Sequence, residues 1–134
     1  MVGVVIATHG KLAEELIRTA EGVIGPLPQV RGVGIEAKDP EVRDRIRSAI
    51  RELDAGQGVL LLTDLLGGSP TNLCLSFLAD HPVEVVTGVN LPMVIKLASV
   101  RATGLPLPEM AKDIAAAGQK SIGHASELLR RKLP

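Results

Sequence analysis

An α/β fold with a parallel sheet covered by helices on both faces is predicted by three features of the chain. Four short apolar runs rich in β-branched residues recur along it. Most are continuous rather than alternating, as strands covered on both faces are. Stretches of helical periodicity lie between them, and a length of 134 residues suits one domain, spanning 1–134, with a single core. Strands alternating with helices join by right-handed crossovers. The expected result is a doubly wound, flavodoxin-like sheet of order 2-1-3-4.

The first strand is read at residues 2–7 and the helix after it at 11–24, where Leu12, Ala13, Leu16, Ile17, Ala20, Val23 and Ile24 form one stripe. The second strand, 30–35, precedes a helix at 39–53 with Val42, Ile46, Ala49, Ile50 and Leu53 on its apolar face. Asp39 can cap that helix, and Pro40 suits its first turn, where a missing N–H costs nothing. After the third strand, 59–63, Ser69-Pro70 repeats the start signal for a helix reaching residue 78. The fourth strand is read at 83–89, and Asn90 caps a helix over 91–100. A last helical region follows Pro108, interrupted by Gly118 and Gly123, so that residues 121–125 fit either a helix break or a short strand. Beyond it, the basic residues Lys120, Arg130, Arg131 and Lys132 outnumber Glu127 and complement a helix C-terminus.

Composition narrows the function. Fifteen Lys and Arg balance fifteen Asp and Glu, so no global field steers the chain toward nucleic acid or an anionic membrane. One Phe, with no Tyr or Trp, excludes base-stacking platforms and sugar pockets built on rings. The lone Cys74 allows no internal disulfide and no multi-thiolate zinc site, which points to a reducing compartment, the cytoplasm. The apolar start is too short for a signal peptide, and no segment approaches the roughly 18 to 20 apolar residues of a membrane span.

The chemistry gathers at two strand ends. His9 follows the first strand in Ala7-Thr8-His9-Gly10, and Asp64 follows the third in Thr63-Asp64-Leu65-Leu66-Gly67-Gly68-Ser69-Pro70. In order 2-1-3-4 these strands are neighbours about 4.8 Å apart, and the crevice at their C-terminal ends is the topological switch point. His9 and Asp64 should therefore face each other. A carboxylate on Nδ1 fixes the tautomer, frees the Nε2 lone pair and stabilises a cationic ring. No Ser or Cys intervenes, so the imidazole itself is the candidate nucleophile. Gly67-Gly68-Ser69-Pro70 supplies the third part, a glycine turn entering a helix N-terminus, which suits an anion. Ser69 can act as the helix cap, as a hydroxyl donor to phosphate, or as both.

Taken singly, these residues have plainer readings. His9 alone could be a satisfied strand-end histidine, and Asp64 alone a turn residue. His81, in an Asp-His-Pro turn, and His124 do not complete a metal set with His9, and none is expected. Cys74 shares an apolar face with Leu73, Phe77 and Leu78 and reads as a core thiol. Gly32-Val33-Gly34-Ile35-Glu36-Ala37 matches a dinucleotide fingerprint formally, but its glycines fall inside the second strand.

The strings Ala7-Thr8-His9-Gly10 with Leu12-Ala13-Glu14, Asp64 with Gly67-Gly68-Ser69-Pro70-Thr71-Asn72, and Thr87-Gly88-Val89-Asn90-Leu91-Pro92-Met93 resemble the mannose-type IIA component of the bacterial phosphoenolpyruvate-dependent sugar phosphotransferase system. The likeness runs over about residues 1–101. It implies that His9 takes phosphate at Nε2 from the phosphohistidine of the carrier HPr and passes it to a IIB component. Asp64 matches the carboxylate partner of that histidine, and Thr8, Gly68 and Ser69 fall at the phosphate. The resemblance also implies a homodimer that exchanges a fifth, antiparallel strand near the C-terminus, with no cofactor. A regulatory phosphohistidine switch without a sugar permease, and the phosphotransfer subunit of dihydroxyacetone kinase, are alternatives with the same chemistry. Residues 36–40, Glu-Ala-Lys-Asp-Pro, depart from the family's usual loop.

Overall fold

Along β1 (Gly3–His9) successive side chains point to opposite faces of the sheet, and this alternation decides which helices cover which side. The computed structural model describes residues 1–133. The elements after β1 are α1 (Leu12–Ile24), β2 (Val30–Ile35), α2 (Val42–Leu53), β3 (Val59–Thr63), α3 (Ser69–Leu75), β4 (Val83–Thr87), α4 (Leu91–Arg101), α5 (Leu107–Lys120) and α6 (Ala125–Lys132). The four strands pair in parallel in the order β2-β1-β3-β4, as the sequence implies.

Val4 and Ile6 of β1 join Leu60 and Leu62 of β3 beneath α1, α4 and α5, packing on Met93, Leu97 and Ile114. Val5, Ala7 and Leu61 face the other way, onto Ile46 and Ile50 of α2 and onto Cys74 and Phe77 at α3. Burying a Val, Leu or Ile side chain on this scale contributes about 1.5–3 kcal/mol each, so the two central strands anchor both layers. Arg101, buried at the end of α4, ties that helix to the residue just before β1 through a bond from Nη1 to the carbonyl of Val2 at 3.1 Å.

Two glycines of β2 sit where close packing leaves no room for a side chain. A Cβ on Gly32 would meet Ile17 Cδ1 at 3.2 Å and Ala13 Cβ at 3.3 Å, while one on Gly34 would stand 2.3 Å from the carbonyl oxygen of Gly10. Gly10 is the residue after His9, and its N–H bonds the carbonyl of Ile35 at 3.1 Å. The turn that carries His9 is therefore pressed onto β2.

Several helix boundaries differ from the sequence reading. Glu41, not Asp39, is the N-cap of α2, because Asp39 is drawn into an ion pair with Arg45 and accepts the Glu41 N–H at 3.0 Å. Gly68 takes the cap position of α3 in extended backbone, which leaves Ser69 inside the helix and removes its capping role. The same helix ends at Leu75 instead of 78, and its last turns tighten to three-residue bonds such as Phe77 N–H to the Cys74 carbonyl. β4 stops at Thr87, since Gly88 turns at φ 82° and the Val89 N–H bonds the Thr63 carbonyl at 2.8 Å. Asn90 does cap α4, accepting from Met93 N–H at 3.1 Å.

Residues 121–124 form the helix break, with Ala125 already in α6, and no strand forms there. Ser121 closes α5 with its N–H on the Ala117 carbonyl and its hydroxyl on the Gly118 carbonyl at 2.6 Å. The fifth antiparallel strand is thus absent among the described residues.

Gly34→Ala is expected to destabilise the fold by about 1–3 kcal/mol through overpacking against Gly10. Gly22→Ala, in an open position of α1, should stabilise by about 0.5–1 kcal/mol. Urea unfolding of both variants checks the pair, and equal effects would contradict the packing reading.

Candidate functional site

His9 ends β1 and Asp64 follows β3, and the parallel register that sets Ala7 beside Thr63 brings the two side chains together. His9 Nδ1 lies 2.8 Å from Asp64 Oδ2. The same oxygen accepts the backbone N–H of His9 at 2.9 Å, while Oδ1 accepts the N–H of Leu65 at 3.0 Å. Asp64 therefore grips both the ring and the main chain of one residue, which leaves the imidazole little freedom to turn.

Burial works against the Asp64 charge, but the bonds from the His9 backbone and ring, together with the attraction of the ring, outweigh it and hold the carboxyl below its ordinary range. An ionised carboxylate can only accept, so Nδ1 carries the proton and Nε2 the lone pair. Asp64 is largely covered, whereas the His9 side chain is 52% exposed. The carboxylate sits behind the ring and the reactive edge faces out.

Gly68 stands beside that edge. A Cβ there would come within 3.1 Å of His9 Cε1 and 3.2 Å of Leu65 Cδ1, so glycine keeps room for the ring. Ser69 is exposed and lines the same cleft of about 570 Å³ as His9, with residues 35–40 and Val42 opposite. A hollow of similar size, about 600 Å³, lies at the other end of the strands near Arg101, away from the switch point.

Thr8 is placed differently from the sequence expectation of a phosphate contact. It is wholly buried, its hydroxyl accepting the Ala13 N–H at 2.8 Å and donating to the His9 carbonyl at 3.1 Å. Both bonds turn it inward, where it fixes the start of α1 and the carbonyl of His9. A second threonine set was not singled out from the sequence. Thr71 donates to the Leu65 carbonyl at 2.7 Å, so it accepts from the Thr63 hydroxyl at 2.6 Å, which binds α3 and the Asp64 loop to the end of β3. The signal was present in the threonines that close β3 and β4, Thr63 and Thr87, each at the end of an apolar run.

The remaining candidates lie elsewhere. Cys74 is a core thiol, pushed up to about 12 by burial. His81 packs edge-on to Phe77 with ring centroids 5.5 Å apart, and His124 sits at the start of α6. No group of three or more His, Cys, Asp or Glu positioned to hold a metal occurs among the described residues.

The depressed Asp64 carboxyl gives a signed pH dependence. Its contribution to stability is fully present above the unfolded value of about 3.9 and is lost as pH falls through the lower folded value. The stability gap between the wild type and Asp64→Asn should thus shrink as pH falls below about 4. Urea midpoints taken across that range check it; a gap that widens on acidification would contradict the assignment.

This geometry can be set against known proteins. The family model EIIA-man, described as the PTS system fructose IIA component, matches residues 3–117. The mannose-specific EIIAB component of the Escherichia coli (strain K12) PTS is 34% identical over 103 residues, covering 75% of this chain and 32% of that protein. The chain thus spans about a third of that relative's length. The PTS fructose-specific EIIA component of Bacillus subtilis (strain 168) is 28% identical over 138 residues, covering 98% of this chain and 91% of that one. Among solved structures, the PTS IIA protein associated with the fucose utilization operon of Streptococcus pneumoniae superposes with a TM-score of 0.79 at 32% identity, covering 96% and 99% of the two chains. No helix among the described residues is long and apolar enough to cross a membrane. With the family model matching from β1 into α5, the chain belongs to the EIIA-man family of phosphotransferase-system IIA components.

Proposed function

We propose that this chain is a phosphoryl carrier whose acceptor atom is Nε2 of His9, a single mannose-type IIA domain working in the cytoplasm. The observation that carries the reading is the double acceptance by Asp64 Oδ2, which pins the ring with Nδ1 protonated and Nε2 free. HPr, the donor expected in this family, brings phosphate on a histidine. The Nε2 lone pair forms a new P–N bond as the donor's P–N bond breaks, and that electron pair returns to the donor imidazole. No proton need leave His9, because Nδ1 keeps its own. The ring becomes cationic, and Asp64 stabilises it at 2.8 Å.

Positioning and charge are what the protein supplies, since one histidine–phosphate bond replaces another. Gly68 gives space beside the ring, and Ser69 offers a hydroxyl from the wall of the cleft. Passage to a IIB component reverses the same step toward a new acceptor. No cofactor takes part. The half-exposed imidazole suits access by two protein partners in turn. Assembly as a homodimer belongs to this proposal as well.

Incubation with phosphoenolpyruvate, enzyme I and HPr, followed by intact-mass spectrometry, should show one phosphoryl group that is acid-labile and alkali-stable. It should vanish in His9→Ala. Asp64→Asn should keep its fold and load more slowly, by about tenfold to a hundredfold. Histidine phosphorylation persisting in His9→Ala would move the site elsewhere.

A further inference from the structure

The cleft beside His9 has a second wall, the loop between β2 and α2. That loop is held at both ends: Arg45 pairs with Asp39 and donates to the carbonyl of Gly34 at 3.2 Å, and Asp39 accepts the Glu41 N–H at 3.0 Å. Between these anchors Lys38 adopts φ 64°, a left-handed conformation that residues with a Cβ seldom take. Lys38 is exposed, and it is the one Lys or Arg among the residues lining the cleft that His9 and Ser69 share. Asp39 is neutralised by Arg45, which leaves Glu36 as the opposing charge on this wall.

A phosphoryl group on Nε2 would bring close to two negative charges into this cleft. Asp64 cannot offset them, being an anion placed behind the ring. We infer that Lys38 is the phosphoryl-binding cation of the site, its ammonium pairing with the phosphoryl oxygens while they are carried on His9. A lysine suits the task as a mobile point charge on a flexible stem. It forms no covalent bond and keeps its protons; the P–N bonds are made and broken as described above. Lys38 thereby favours the loaded protein over the empty one. The inference rests on His9 being the phosphoryl acceptor.

A thermodynamic readout separates this role from partner docking. With HPr and the protein brought to equilibrium and both read by intact mass, Lys38→Met should shift the phosphoryl distribution toward HPr by roughly three- to tenfold. Lys38→Arg should stay near the wild type. Lys38→Gly relieves the positive φ, so a shift there as well assigns the effect to the lost charge and not to the backbone. Slower loading of Lys38→Met with an unchanged equilibrium would mean that the lysine only meets the donor protein, and would overturn the inference. An unchanged rate and equilibrium would overturn it too. A wild-type protein that takes no phosphate at all would instead sink the His9 reading, and the Lys38 role with it.

Discussion

Everything at the switch point depends on one carboxylate oxygen. Asp64 Oδ2 accepts two hydrogen bonds from a single residue, the His9 main chain at 2.9 Å and its ring at 2.8 Å. A bond to the ring alone would leave the strand end free to shift, and a bond to the backbone alone would leave the ring free to rotate. Together they set the tautomer, the orientation and the exposure of Nε2. They also stabilise the ionised carboxylate against its burial.

That contact is available only because of what lies beneath it. Parallel pairing of β1 with β3 places the ends of the two strands side by side, and a core packed on both faces keeps the register fixed. Local devices complete the alignment. Thr8 turns inward to tie β1 to α1, Thr71 ties α3 to β3, and Gly34 allows the turn after His9 to rest on β2. The energetic contributions are mostly apolar and remote from the site. The polar bonds contribute about 0.5–1.5 kcal/mol each and act mainly as fixtures for geometry.

The strand order and the meeting of His9 with Asp64 were legible in the sequence, because continuous β-branched runs alternating with helical stripes restrict the topology to very few arrangements. Boundaries were less so. Asp39 and Pro40 carry a good helix-start pattern, yet Asp39 pairs with Arg45, six residues on, and the cap falls at Glu41; the rules for helix starts do not contain that partner. The family resemblance placed Thr8 at the phosphate, but strand alternation turns its side chain to the opposite face from its neighbour. The two glycines of β2 lie inside the strand as the sequence reading placed them, and their reason, contact with Gly10 and with α1, emerges only in three dimensions. At the C-terminus, Gly118 and Gly123 suited break and strand alike, and the bonds of Ser121 back onto α5 decided between them.

A chain with no net charge, one Phe and no Tyr or Trp offers a sugar no aromatic platform. The charge that bears on the site is local, one carboxylate set against one imidazole. The most direct measurement of that arrangement is the tautomeric state of the neutral His9 ring, read by two-bond ¹H–¹⁵N correlation spectra of the unphosphorylated protein. A proton on Nδ1 and a bare Nε2 are expected, with Asp64→Asn weakening the preference. A neutral ring protonated on Nε2 would contradict the account, since its nucleophilic lone pair would then point at Asp64.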